Sequence, residues 1–116
     1  MPEMSDAEIE RGYNNRAAVP EHAEWFARWA KASEEVRSRL AATVDVRYGP
    51  NPKETMDVLL PRGKRRGTFV FIHGGYWRAL DKSEHTFVAT PFIDAGYAVA
   101  VVNYDLCPLV TMDVIL

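Results

Sequence analysis

Cysteine is almost absent from the 116-residue sequence, in which Cys107 is the only one. One cysteine cannot form an intrachain disulfide, so a disulfide-stabilised scaffold is excluded and a reducing compartment is favoured. Residues 1–16 carry acidic side chains and no apolar run, and the sequence has no run of about 20 apolar residues. Neither a signal peptide nor a membrane helix is therefore predicted, and we expect a soluble cytoplasmic protein.

An excess of one charge is also lacking, because 14 basic residues nearly balance 16 acidic ones. No broad field would attract nucleic acid or an anionic membrane, so neither is expected as a partner. The short basic run at 64–66 lies between two glycines and is interpreted as a solvated turn. No pair of ligand-type residues has zinc spacing and no glycine-rich nucleotide motif occurs, so neither a metal nor a cofactor is expected.

Two helices are predicted in the first 42 residues. Ser5 and Glu8 have the spacing of a capping box, which indicates a short helix that Gly12 ends. A second helix is predicted from Pro20 to about Ala42. Its apolar stripe, at three- and four-residue steps, comprises Phe26, Trp29, Ser33, Val36 and Leu40. An aromatic group, interpreted as core packing, comprises Trp25, Phe26 and Trp29.

Beyond residue 42 the apolar pattern changes from helical to alternating. Residues 43–48 and 55–60 predict a half-exposed antiparallel pair of strands with a Gly-Pro-Asn-Pro turn between them. The runs 68–72 and 97–102 are apolar without alternation, so we expect strands that are covered on both faces. Residues 81–95 predict a crossover helix that Pro91 kinks or interrupts, which completes a right-handed βαβ unit. Its inward side chains are predicted to be Phe87, Val88, Phe92 and Ile93.

The segment His73–Trp77 stands directly after the first buried strand, where open α/β sheets place their ligands. Gly74 and Gly75 lack a Cβ, so the backbone can turn tightly and direct its N–H groups into a cleft. Such groups can hold the oxyanion of an acyl-transfer intermediate, which is worth roughly 3–4 kcal/mol per donor. From these residues alone, a turn without a ligand is an equally good interpretation.

The stretch Phe71–Trp77 resembles the HGGxW segment of kynurenine formamidases (arylformamidases) and allied bacterial hydrolases, a variant of the HGGG oxyanion loop of lipases and esterases. Other stretches agree with that family in the same order along the chain: Tyr13–Arg16, Tyr48–Pro50, Asp57–Val58 and Asn103–Pro108. The resemblance implies an α/β fold of the α/β-hydrolase type. The chain would contribute a helical segment, residues 1–42, and then the first part of the hydrolase core, residues 43–116, with the antiparallel edge pair and the βαβ unit.

In functional terms, the resemblance implies that the N–H groups of Gly75 and Tyr76 form an oxyanion hole, and that His73, Gly74 and Trp77 anchor the loop or line the pocket. It implies a small-molecule acyl substrate, N-formyl-L-kynurenine, hydrolysed through a serine acyl-enzyme in tryptophan catabolism. A carboxylesterase or another amidase of the same fold is a close alternative. A third is a catalytically inactive binding or assembly module that uses an exposed sheet edge.

The residues of a catalytic triad are missing from the chain. No GxSxG nucleophile elbow occurs, and the catalytic histidine of α/β-hydrolases follows the serine and the acid along the chain, so His73 is interpreted as structural. His22 and His85 are expected to face solvent or to cap helices, and Cys107 to be a small packed residue. Asp81 has no identifiable partner in the sequence.

The end of the chain falls within about one turn of a helix start that is predicted at residue 111. Ile115 and Leu116 would be left exposed there. We therefore expect the nucleophile, acid and base to lie beyond Leu116, and the chain to be a truncated gene product or a cut fragment. A sheet edge left without its neighbour predicts that the isolated chain forms homo-oligomers or aggregates.

Overall fold

A computed structural model describes residues 2–116, and three helices come first: α1 Asp6–Tyr13, α2 Asn15–Ala18 and α3 His22–Arg39. The predicted capping box begins α1, since Ser5 Oγ accepts from the Glu8 N–H at 3.4 Å and the Ser5 N–H donates to the Glu8 carboxylate at 2.9 Å. Gly12 does not end this helix as predicted, because α1 continues to Tyr13 before Asn14 caps α2.

Helix α3 packs its predicted stripe against the rest of the fold. Trp25 does not belong to the core as predicted: it is 46% exposed, and the Arg28 guanidinium lies 5.0 Å from its ring centroid. The helix ends at Arg39, because the chain turns into the first strand at Ala42. Within residues 2–116, no helix has the length and apolarity that crossing a bilayer requires. The residues of the stripe that are buried or half-buried are Phe26, Trp29, Ser33 and Val36 of α3, and Leu40, which caps its end.

Four strands form one mixed sheet in the order β1-β2-β4-β3. Strands β1 and β2 are antiparallel, β2 and β4 are also antiparallel, and β3 and β4 are parallel in register from Gly67↔Tyr97 to Ile72↔Val102. The predicted antiparallel pair followed by a parallel pair is therefore confirmed. The strands are β1 Ala42–Arg47, β2 Thr55–Leu59, β3 Gly67–Ile72 and β4 Tyr97–Val102.

One face of the sheet is covered by helices, and β3 is open on the other face. Phe69 and Phe71 point toward the helices, whereas Val70 and Ile72 between and after them are 53% and 65% exposed. The prediction that β3 is covered on both faces is therefore wrong for this chain, whereas the central strand β4 is buried along most of its length. The fully buried core residues of the sheet are Leu59, Val99 and Val101.

The crossover from β3 to β4 is not the single helix that residues 81–95 predicted. It consists of two 3₁₀ turns, Lys82–Glu84 and Thr86–Val88, and then α4 Ala89–Asp94. Pro91 lies in the first turn of α4, where backbone N–H groups have no intrahelical partner, so the proline is accommodated there. Gly96, with φ +90°, follows α4 and turns the chain into β4. A four-residue helix, α5 Met112–Ile115, follows the sheet.

Candidate functional site

His73 follows β3 directly and is held at the carboxyl end of the sheet. Its ring is 3% exposed and stacks between Tyr104, with ring centroids 4.4 Å apart, and His85, at 5.5 Å. The Tyr104 hydroxyl donates to the His73 carbonyl at 2.8 Å, and burial raises the pKa of Tyr104, which keeps this donor protonated. His73 therefore packs as an anchor at the base of the loop that follows it.

Both ring nitrogens of His73 lie close to protein oxygens. Nδ1 is 2.7 Å from the Gly74 carbonyl, and Nε2 is 3.2 Å from Oδ1 of Asn103. A general base must keep one nitrogen accessible to the proton that it takes from the reacting group. The buried and doubly contacted imidazole of His73 instead fixes the backbone between β3 and the glycines.

Beyond His73, the chain makes a tight turn from Gly75 to Arg78. The Arg78 N–H donates to the Gly75 carbonyl at 3.1 Å, and φ is +118° at Gly75, +52° at Tyr76 and +57° at Trp77. Left-handed backbone at two consecutive aromatic residues costs about 1–3 kcal/mol each and is found mainly where function requires it. The Cys107 N–H donates to the Trp77 carbonyl at 2.8 Å and so ties the turn to the segment after β4.

Glycine is required at position 75 but not at position 74. A Cβ built on Gly75 would overlap the Ala79 carbonyl oxygen, and the positive φ disfavours any side chain there. A Cβ on Gly74 would meet no atom within 4 Å. The turn therefore depends on the second of the two glycines.

Two backbone donors of this turn have no acceptor. Within residues 2–116, neither the Gly75 N–H nor the Tyr76 N–H donates to a backbone carbonyl, and no side chain accepts from them. Both residues line a cleft of about 670 Å³. Because Tyr76 and Trp77 are 65% and 45% exposed, the turn projects from the sheet toward solvent.

The opposite wall of this cleft comes from the amino-terminal helices. The residues that join α1 to α2 line it, together with Phe26 of α3. Its aromatic members are Tyr13, Phe26 and Tyr76, and its charged members are Glu10, Arg16 and Arg78. The sequence did not indicate that the first helices lie at this site, although Tyr13–Arg16 is one of the stretches that carry the family resemblance.

Asn103 connects the loop to the start of the crossover. It follows β4 as His73 follows β3, and it is 4% exposed. Its Oδ1 also accepts from the Lys82 N–H at 3.3 Å, and its Nδ2 donates to the Asp81 carboxylate at 2.9 Å. Asp81, for which the sequence indicated no partner, is thus held from two sides, since its Oδ1 also accepts from the Ser83 N–H at 3.0 Å.

The charge of Asp81 is stabilised by these contacts. Partial burial disfavours the carboxylate, but hydrogen bonds from Ser83 and Asn103 and the charge of Lys53 outweigh burial and lower the pKa of Asp81 to about 2. The Lys53 Nζ lies 3.5 Å from the carboxylate. Asp81 is therefore ionised at neutral pH, which suits its place as the cap of the first 3₁₀ turn.

A buried ion pair lies beneath the same corner of the sheet. The Lys82 Nζ is 2.6 Å from Asp57, which is 1% exposed, and 2.8 Å from Asp45, whose side chain is 71% exposed. Burial disfavours the ammonium, but hydrogen bonds and the charges of both carboxylates outweigh it and raise the pKa of Lys82. Asp45 and Lys82 border a second, polar cleft of about 390 Å³.

The other histidines and the cysteine take no part in a catalytic arrangement. His85 takes the second of its two predicted positions, a cap and not a solvent-facing one: it is 7% exposed, it is the cap residue between the two 3₁₀ turns, and its Nδ1 lies 2.9 Å from the Asp81 carbonyl. The His22 Nδ1 lies 2.8 Å from the Val19 carbonyl at the start of α3. Cys107 is half-buried. Among residues 2–116, no cluster of three acidic, histidine or cysteine side chains could hold a metal ion.

Comparison with known proteins identifies relatives of the chain. No protein-family model matches the chain. It is 38% identical to the kynurenine formamidase of Drosophila melanogaster over 100 residues, which are 83% of this chain and 32% of that protein. It is 34% identical to the kynurenine formamidase of Salmo salar over 86 residues, or 72% and 29% of the two chains. The chain thus spans about a third of the length of the curated relatives that it matches.

Solved structures agree with these sequence relatives. A candidate thioesterase from Silicibacter sp. TM1040 superposes with a TM-score of 0.87 and 38% identity over 93% of this chain and 42% of that one. Esterase B from Lactobacillus rhamnosis, at 23% identity and a TM-score of 0.58 over 83% and 35% of the chains, shares the fold alone. The chain is therefore a homologue of kynurenine formamidases and has a partial α/β-hydrolase fold.

Proposed function

We propose, on the basis of this homology to kynurenine formamidases, that the chain supplies the oxyanion-binding part of an arylformamidase-like hydrolase. The N–H groups of Gly75 and Tyr76 would hold the oxygen of a formamide carbonyl as it becomes an oxyanion. The observation that supports this most directly is the turn at 75–78, which leaves both donors without an acceptor on the wall of a cleft. A donor fixed in advance stabilises developing charge without a reorganisation cost.

The proposed reaction is hydrolysis of N-formyl-L-kynurenine by serine-type acyl transfer. A serine hydroxyl would attack the formyl carbon and pass its proton to a base, and the carbonyl electrons would move onto the oxygen at Gly75 and Tyr76. Collapse would break the C–N bond and return the proton to the leaving amine, which releases L-kynurenine. Water would then hydrolyse the formyl-serine to formate.

The serine, the acid and the base of this mechanism are proposed to lie in sequence that follows Leu116. The chain contains four serines and none in a GxSxG context. Ser33 is fully buried and accepts from the Phe87 N–H at 3.0 Å, and Ser83 lies within a 3₁₀ turn. The relatives, which are more than twice as long as this chain, have the length that such a continuation needs.

Ester hydrolysis is the second candidate function. The chain is as similar in sequence to the candidate thioesterase as it is to the Drosophila kynurenine formamidase, at 38% identity in both cases. The oxyanion geometry is the same for an ester, a thioester and a formamide, so the loop itself does not discriminate between them.

Two experiments test the proposal. The 116-residue chain alone should show no turnover of N-formyl-L-kynurenine or p-nitrophenyl acetate above a buffer blank, because it lacks a nucleophile and a base. Turnover that Cys107→Ala or Ser83→Ala abolishes would contradict this expectation. A chimera in which the chain replaces the matching segment of Drosophila kynurenine formamidase should be active, with a higher kcat/KM for the formamide than for the ester. The reverse preference in a folded chimera would favour the esterase.

A further inference from the structure

The cleft at the oxyanion loop carries charges that the proposed reaction step does not use. Arg16 comes from α2 and Arg78 from the residue that closes the turn, so they line the cleft from its two walls. Within residues 2–116, neither guanidinium is within ion-pair distance of a carboxylate. Two unneutralised guanidinium groups beside one cleft favour an anionic ligand.

The one acidic residue of the cleft does not cancel this charge. Glu10 lines the same cleft, and its Oε1 accepts a hydrogen bond from Nδ2 of Asn14 at 2.9 Å. That contact satisfies one carboxylate oxygen locally, within the first helices. Two guanidinium groups against one carboxylate leave the charged lining of the cleft positive.

The apolar part of the lining is aromatic. Tyr13, Phe26 and Tyr76, from α1, α3 and the loop, line the same cleft as Gly75. Planar apolar groups pack well against such rings. A ligand that satisfies all three features has an acyl oxygen for Gly75 and Tyr76, an aromatic body, and a carboxylate.

We propose that Arg16 and Arg78 are specificity residues that bind the carboxylate of an aromatic acyl substrate while its acyl oxygen lies against Gly75 and Tyr76. This inference rests on the proposed function. Guanidinium groups match carboxylates with paired, charge-assisted hydrogen bonds, which a neutral ester or amide cannot form. The cleft therefore selects aromatic formamides that bear a carboxylate over esters that lack one.

The test is a binding titration of the 116-residue chain followed by ¹⁵N–¹H correlation spectra. The two ligands are N-formyl-L-kynurenine and its α-carboxamide, which differ only in whether the carboxyl group is a carboxylate; both keep the α-ammonium group. The chain without nucleophile and base leaves the formamide intact, so binding is measured alone. The variants are the double substitution Arg16→Gln with Arg78→Gln and, as a matched control, Arg28→Gln, an exposed arginine of α3 that does not line the cleft.

We expect the carboxylate to bind about tenfold more tightly than the carboxamide, the lower end of the range for a charge-assisted hydrogen bond because both arginines are exposed. The double variant should lose this preference, and Arg28→Gln should keep it. If both ligands bind equally and shift the Gly75 and Tyr76 amide signals, the specificity role of Arg16 and Arg78 is overturned. The oxyanion assignment is then still supported.

Two other outcomes separate the inference from the proposed function. An arginine-dependent carboxylate preference without shifts at Gly75 and Tyr76 would support the anion site and contradict the oxyanion assignment. Absence of binding by both ligands, in a chain whose spectrum is dispersed, would overturn the specificity inference together with the acyl site.

Discussion

The Nε2 of His73 lies 3.2 Å from the Oδ1 of Asn103, and this contact joins the ends of two adjacent parallel strands. The same amide holds the Lys82 N–H and the Asp81 carboxylate, so one side chain ties the loop to the crossover. Asn103→Ala would leave the His73 Nε2 and the Lys82 N–H without this partner and would remove one of the donors to the Asp81 carboxylate, at a cost of about 1–3 kcal/mol in the free energy of unfolding. Urea denaturation measures this cost. The exposed Asn15→Ala is the control, and equal losses for both variants would contradict the role of Asn103.

Lys82 forms one buried and one exposed ion pair, and we expect their loss to lower the free energy of unfolding by very different amounts. Lys82→Met leaves the buried charge of Asp57 without its cation and with a hydrogen bond from the Asp45 N–H at 3.0 Å, so it should lower the free energy of unfolding by about 3–5 kcal/mol. Asp45→Asn removes the exposed partner and should cost no more than about 1 kcal/mol. Adding Asp57→Asn to Lys82→Met should recover part of the loss. A Lys82→Met variant as stable as Asp45→Asn in urea would show that the buried pair does not support the fold.

The lowered pKa of Asp81 predicts a specific acid sensitivity. A carboxyl group whose pKa falls on folding, here from 3.8 to about 2, stabilises the fold fully above pH of about 4 and loses that contribution as the pH falls toward 2. Asp81→Asn keeps a capping side chain but removes the charge. The difference in stability between the wild type and Asp81→Asn should therefore shrink across this window. The exposed Asp94→Asn serves as control; a difference that is constant with pH would refute the assignment.

Strand β3 predicts self-association of the isolated chain. It is an edge strand with Val70 and Ile72 exposed, a combination that templates pairing with a second chain. Val70→Lys should shift the chain toward the monomer in size-exclusion chromatography with light scattering. Val114→Lys, at a residue of α5 with similar exposure, should not. If the wild-type chain elutes as a sharp monomer peak and β3 is strongly protected from hydrogen exchange, the edge strand needs no partner.

Much of the fold could be predicted because its signals are local. The alternation at 55–60 and the apolar run at 97–102 identified β2 and β4, and the capping box identified α1. The division of the crossover into short helical turns could not be predicted. The capping box at Asp81 and Glu84 begins a separate 3₁₀ turn, and the backbone of His85 then leaves the helical region. The exposed face of β3 could not be predicted either, because an apolar run does not specify whether a helix covers it.

At the site, the sequence indicated the loop 73–77 but not the residues that contact it or lie near it. The role of Asn103 had a signal, since it follows β4 as His73 follows β3, and the ends of adjacent parallel strands meet. The burial of Asp57 also had a signal in the sequence, because Asp57 alternates with Thr55 and Leu59 on the buried side of β2. Arg16 lies in one of the stretches that carry the resemblance, but its place at the site had no signal, because only tertiary packing brings the first helices opposite the loop. Arg78 closes the turn of the loop, and nothing in the sequence indicated that it lines the cleft.

Replacement of the two glycines tests the central claim, that the backbone of residues 75 and 76 stabilises an oxyanion. In the chimera with Drosophila kynurenine formamidase, Gly75→Ala would force a Cβ into the Ala79 carbonyl and displace both N–H groups, whereas Gly74→Ala meets open space. We expect kcat for N-formyl-L-kynurenine to fall by about 10²–10³ in Gly75→Ala, the usual effect of losing an oxyanion donor, and to change little in Gly74→Ala. Far-ultraviolet circular dichroism and thermal unfolding check that both variants fold. A folded Gly75→Ala chimera with the kcat of its parent would contradict the account.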